Sequence, residues 1–110
     1  WANYSAATDL RSRGFGTEQN EWLWLKLIEA GFVGWWRHTG SFARSPHFHI
    51  VWPGCEMKRS LRNQVHSFLR RDNGLVGDAP EGFLQSKDHL SDAAAQRIRE
   101  AFLAHNPADG

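Results

Sequence analysis

Cysteine is nearly missing from this 110-residue sequence: Cys55 stands alone, which excludes an intrachain disulfide and leaves no Cys-x-x-Cys pair for a structural zinc. Net charge is scarce as well. Thirteen Lys and Arg against twelve Asp and Glu leave +1, too little to draw the whole domain to nucleic acid or an anionic membrane, so nucleic acid is not an expected partner and any anion binding must be local. The longest largely apolar stretches, Trp22 to Leu25 and Phe48 to Trp52, fall far short of the roughly 18 residues that a membrane-crossing helix needs, and no membrane span is expected. No internal repeat or low-complexity tract is visible. At 41% hydrophobic and 23% charged residues, the chain has the balance of one small globular domain, 1–110, and not of a disordered segment. What it carries in quantity is six Trp and six His.

Punctuation and periodicity predict an α+β domain: a small, mainly antiparallel sheet with about three helices packed on one side, which leaves the other face, with any metal site, open. Gly14 and Gly16 bracket Phe15 in an irregular or short-strand N-terminal stretch. A first helix is predicted over about 18–30, with Thr17 as N-cap and Gly31 as its stop. Its Trp22, Leu23, Trp24, Leu25, Leu27 and Ile28 are apolar over more than one face, which reads as deep burial. A strand through Phe32 to Trp36 follows, then a loop over 38–46. The run 47–52 is the clearest strand, ended by Pro53-Gly54. Met57, Leu61, Val65 and Phe68 recur at helical spacing, which predicts a helix over about 55–72 stopped by Asn73-Gly74. Residues 74–90 read as a long connection, and Ser91 caps a last helix over 92–105, stopped by Asn106-Pro107.

The strongest chemical signal is His47-Phe48-His49. A strand's period of two puts His47, His49 and Val51 on one face, with the two imidazole-bearing Cα atoms roughly 6.6 Å apart, within reach of one ion or one reacting group. Taken alone, the pair reads first as two ordinary surface or hydrogen-bonded histidines. Asp9, among small residues, reads alone as a turn acceptor.

Read together, Ser5-Ala6-Ala7-Thr8-Asp9-Leu10, a helix, and Pro46-His47-Phe48-His49-Ile50-Val51 resemble the superfamily of lysostaphin-type and D-alanyl-D-alanine metallopeptidases that includes the hedgehog signalling domain. The resemblance covers about residues 1–52. It implies zinc as cofactor, Asp9 and His49 as zinc ligands, and His47 as the catalytic histidine beside the metal; Ser5 and Ala7 stand where the family has small residues ahead of its Asp. One position departs. Where the family carries its first zinc-binding His, this chain has Ala2, and a methyl group cannot coordinate, so the inherited set is one short of the three protein ligands a catalytic zinc takes. Three explanations stand: natural degeneration, replacement of a His in an active parent, or completion of the site by another residue such as His38. The intact Asp9 and His-x-His favour the second.

Other candidates are less specific. Lys58, Arg62, His66 and Arg70 recur every four residues, giving the helix through 55–71 a basic face that either meets an anionic polymer or is simply solvated. Trp36, Arg37 and Trp52 either line a substrate groove or belong to the core. Cys55 lacks a base partner and is not offered as a nucleophile. By the resemblance, the expected function is zinc-dependent hydrolysis of an amide bond in a peptidoglycan peptide. The setting would be a cell-wall enzyme or a phage lysis or tail enzyme acting outside the cytoplasm, with activity impaired by Ala2. The alternative is a non-catalytic module on the same fold that binds cell-wall polymer or protein.

Overall fold

A computed structural model describes residues 6–110; Ala2 and Ser5, two positions used in the family comparison, lie outside the described residues. The elements run β1 (Ala7–Arg11), α1 (Thr17–Glu29), β2 (Val33–Arg37), a 3-10 turn (Gly40–Phe42), β3 (His47–Val51), α2 (Arg59–Leu69), α3 (Asp92–His105) and a closing 3-10 turn (Pro107–Asp109). The strands form one antiparallel sheet in the order β1-β3-β2. This is a small α+β fold. No helix among the described residues is long and apolar enough to cross a membrane.

The helix ends show which local signals prevailed. Gly16, and not Thr17, is the N-cap of α1, with its backbone N–H donating to Gln19 Oε1 at 3.2 Å. Gly31 ends that helix at φ +99°, in the left-handed region where a missing Cβ is an advantage. Helix α2 starts later than periodicity suggests because the backbone ahead of it is engaged elsewhere. Asn106 accepts from the Met57 N–H at 3.2 Å and donates to the Cys55 carbonyl at 2.9 Å. Its stop is Arg71, at φ +65°, where Asp72 N–H bonds the Ser67 carbonyl and Arg71 N–H bonds the Phe68 carbonyl, both at 2.9 Å, the paired bonds of a Schellman ending. Gly74 serves a different purpose: at φ +71° it lies so close to Trp35 that an added Cβ would come within 2.7 Å of the indole.

Helix α3 is capped as its sequence predicts, with Ser91 Oγ accepting from the Ala94 N–H at 3.1 Å. Replacing Ser91 by Ala should lower stability by about 1 kcal/mol, read as a shifted urea midpoint with an unchanged slope.

The core joins Trp24 and Ile28 of α1, Val33 and Trp35 of β2, Phe48, Ile50 and Val51 of β3, Leu61, Val65 and Phe68 of α2, and Ile98 and Phe102 of α3. Only one side of α1 is buried, and Trp22 remains 60% exposed, against the expectation that residues on more than one face lie deep. The connection after α2 is tied down. Glu81 N–H donates to the Arg71 carbonyl at 2.9 Å, the Arg71 guanidinium donates to the Leu90 carbonyl at 2.7 Å, and Phe83 stacks between Trp24 and His89.

Candidate functional site

Because β3 is central, each of its residues has a partner on both sides. Asp9 of β1, His49 and Trp35 of β2 form one row across the sheet, and Arg11, His47 and Arg37 form the row two residues along, on the same face. Within the first row, His49 Nδ1 lies 3.1 Å from Asp9 Oδ1. The other ring nitrogen, Nε2, lies 2.7 Å from Oε1 of Gln64 on α2, and the ring runs nearly parallel to Trp35, with centroids 6.3 Å apart. Helix α2 therefore lies over the β2–β3 part of this face, with Phe68 edge-on to Trp35. This differs from the expected fully open face: only the β1 side, where the Asp9 side chain is 62% exposed, remains accessible.

Two donors on a tetrahedral zinc, each bonded at about 2.0–2.1 Å, stand roughly 3.3 Å apart. The Asp9–His49 separation of 3.1 Å is close to that, and a carboxylate oxygen with an imidazole nitrogen is a donor pair that zinc accepts. The count falls short, since no group of three or more metal-ligating side chains occurs among the described residues.

His47 sits at the mouth of an open groove of about 380 Å³ lined by Asp9, Arg11, Ser41, Phe42, Pro46 and His47, among others. Its Nδ1 lies 2.9 Å from the Ser45 carbonyl. A carbonyl only accepts, so Nδ1 carries the proton and a neutral ring keeps its Nε2 lone pair. Arg37, in the same row, is 8% exposed, with its guanidinium over Trp35 and Phe42 and donating to the Asn73 carbonyl at 2.6 Å. Burial pushes its pKa below the ordinary value, and the carboxylates of Glu81, Asp78 and Asp9 oppose that shift. Arginine stays charged regardless.

Several candidates fall elsewhere. Trp36 pairs with Phe48 on the opposite face, donates to Ser12 Oγ at 3.0 Å and stacks on His38 at 3.5 Å. That stack holds His38 away from Asp9 and His49, so it does not replace a ligand. Trp52, just past β3, lines a separate groove with Ile28, Ala94 and Ile98. Of the three proposed groove residues, only Arg37 shares the face of His47. The basic row of α2 is largely neutralised within the fold: Arg62 and His66 converge on Asp109 at 3.1 and 3.0 Å, and Arg70 pairs with Asp72 and Asp78. Burial pushes the Cys55 thiol up, against any nucleophilic role.

Gln64 is the site residue that the sequence did not single out. It lies three residues after Leu61 and four before Phe68, both buried core residues, so a neutral amide at the margin of the apolar stripe was its available signal. Comparisons of the chain with protein-family models, curated proteins and solved structures find no match.

Proposed function

We propose that this chain is a zinc-peptidase-type domain, of the lysostaphin and D-alanyl-D-alanine peptidase kind, acting on an amide bond of peptidoglycan peptides, with a metal site short of one donor. The reading is carried by the Asp9 carboxylate and the His49 Nδ1 meeting at 3.1 Å at the edge of a groove that also holds His47. Asp9 and His49 would hold the zinc, and by the family resemblance the third donor falls on Ala2. With that donor restored, zinc held there would supply a Lewis acid for the scissile carbonyl.

The chain's own groups account for the rest. The groove is open, walled by Phe42 and Pro46 with the Ser41 and Ser45 segments beside them, and suits an extended peptide. His47, fixed through Nδ1 to Ser45, presents Nε2 to take a proton from attacking water and return it to the leaving amine. Arg37 is held back by its contacts with Trp35 and Asn73. It keeps a fixed positive charge in the row that holds His47.

The test is release of free amino groups from purified peptidoglycan by an Ala2→His chain loaded with zinc. His47→Ala in that background should keep the zinc and lose about 10²- to 10⁴-fold in rate. A zinc-loaded Ala2→His chain that binds peptidoglycan and releases nothing would make the fold a binding module.

A further inference from the structure

We propose that Arg11 is a specificity-determining residue of the groove: its guanidinium receives a peptide carboxylate, terminal or on a side chain, that lies close to the reacting amide, so acidic peptides are preferred to neutral ones. This rests on reading the groove as a peptide site, and it asks nothing of a metal.

Arg11 is exposed on β1 and lines the groove. Among the described residues it takes part in no ion pair and no side-chain hydrogen bond. Other guanidinium groups are engaged. Arg37 donates to the Asn73 carbonyl at 2.6 Å and Arg13 to the Arg44 carbonyl at 3.3 Å, while Arg62, Arg70 and Arg71 pair with Asp109, Asp72, Asp78 and Asp92. Arg11 keeps its donors for something outside the fold, and a planar fork of donors matches a carboxylate.

The register puts Arg11 directly opposite His47, with Arg37 on the other side of that histidine. The bonds from Trp52 N–H to the Ala6 carbonyl and from Ser12 N–H to the Pro46 carbonyl mark the alternate pairs as the hydrogen-bonded ones. Arg11 and His47 therefore form the closer kind of pair, with Cα atoms about 4.5 Å apart. Their row holds basic side chains and no carboxylate, so its charge is unanswered within the sheet. Two residues back along β1, about 6.6 Å away and on the same face, Asp9 carries the opposite charge. An extended peptide laid along this face is thereby given a direction, with an acidic group attracted at Arg11 and repelled at Asp9. Extended chain spans about 3.3–3.6 Å per residue, so the recognised carboxylate lies within about two residues of an amide in the row of Asp9 and His49. A phosphate polymer is disfavoured, since a continuous run of negative charge would also have to pass Asp9.

The test titrates three probes into the chain as written: acetyl-Ala-Ala-Ala as free acid, the same peptide as C-terminal amide, and acetyl-Ala-Glu-Ala amide. Backbone amide NMR shifts at Ser41, Phe42 and Ser45 report occupancy of the groove. At least one acid should bind about fivefold or more tighter than the neutral amide, the upper end of what one exposed charge pair gives. Which acid does so identifies the carboxylate as terminal or side-chain. Arg11→Gln should erase the difference, and Arg11→Lys should keep part of it, because an ammonium holds the charge without the fork. Equal affinity for acids and amide, or a preference that survives Arg11→Gln, would overturn the role of Arg11 and leave the groove standing as a peptide site. Inorganic phosphate competing as well as the acids would make this a general anion site and overturn the assignment to a peptide. No shift with any of the three peptides would overturn both the role of Arg11 and the groove. An Arg11-dependent preference, in a chain whose zinc-loaded Ala2→His form releases no amine from peptidoglycan, would support Arg11 and remove the peptidase reading.

Discussion

Ala2→His should raise the chain's affinity for zinc by more than about 100-fold, the upper end of what partners outside the coordination sphere contribute. Asp9 and His49 provide two donors, and among the described residues nothing adds a third. Two donors on an accessible face compete poorly with water, whereas three protein ligands and one open position make up the usual catalytic arrangement. Calorimetry on the two chains measures the gain, and Asp9→Asn in the Ala2→His background should remove it. Amino-group release from peptidoglycan should appear only in the chain that gains zinc. An unchanged affinity would leave Asp9 and His49 as a hydrogen-bonded pair with no ion to share.

Trp35→Ala should cost about 3–5 kcal/mol, the range for removing a large aromatic ring from a core. Trp35 is fully buried, and its Nε1–H is bonded to the Asp72 carbonyl at 2.8 Å. Its ring touches Phe68, lies beside His49 and carries the Arg37 guanidinium at 5.0 Å. Losing it opens a cavity, leaves a carbonyl unsatisfied and releases a buried charge from its ring contact. Against a total stability of about 5–15 kcal/mol for a domain, that is a large share. Trp35→Phe keeps a ring without the donor and should recover part of the loss. Urea unfolding measures both.

The helices and the central strand were legible because their signals are local. Ser91 and Gly31 act where the sequence places them, and the alternation in 47–51 puts His47 and His49 on one face. The face of Asp9 is a different matter. The short run Ala7 to Arg11 is weak as a strand on propensity, and its register comes from pairing with β3. Periodicity cannot locate the start of α2 because Asn106, about fifty positions away, engages the backbone of Cys55 and Met57. Its end departs from the Asn73-Gly74 signal because an arginine, Arg71, occupies the left-handed position. The pairing of the basic row is not legible in the helix because Asp109, Asp72 and Asp78, its partners, come from outside it. Gln64 escaped notice for a related reason: its meaning depends on a ring delivered by another element.

The strand order β1-β3-β2 also sets a sequence of events in time. A short connection joins β2 to β3, whereas Asp9 and His49 are 40 positions apart. Bringing β1 home therefore closes the larger loop, at a greater entropic cost. The β2–β3 hairpin and α2 can assemble His49, Trp35 and Gln64 before the outer strand arrives. Asp9 then joins a half-site that already exists, and the carboxylate is the first of these groups to leave when the edge strand frays.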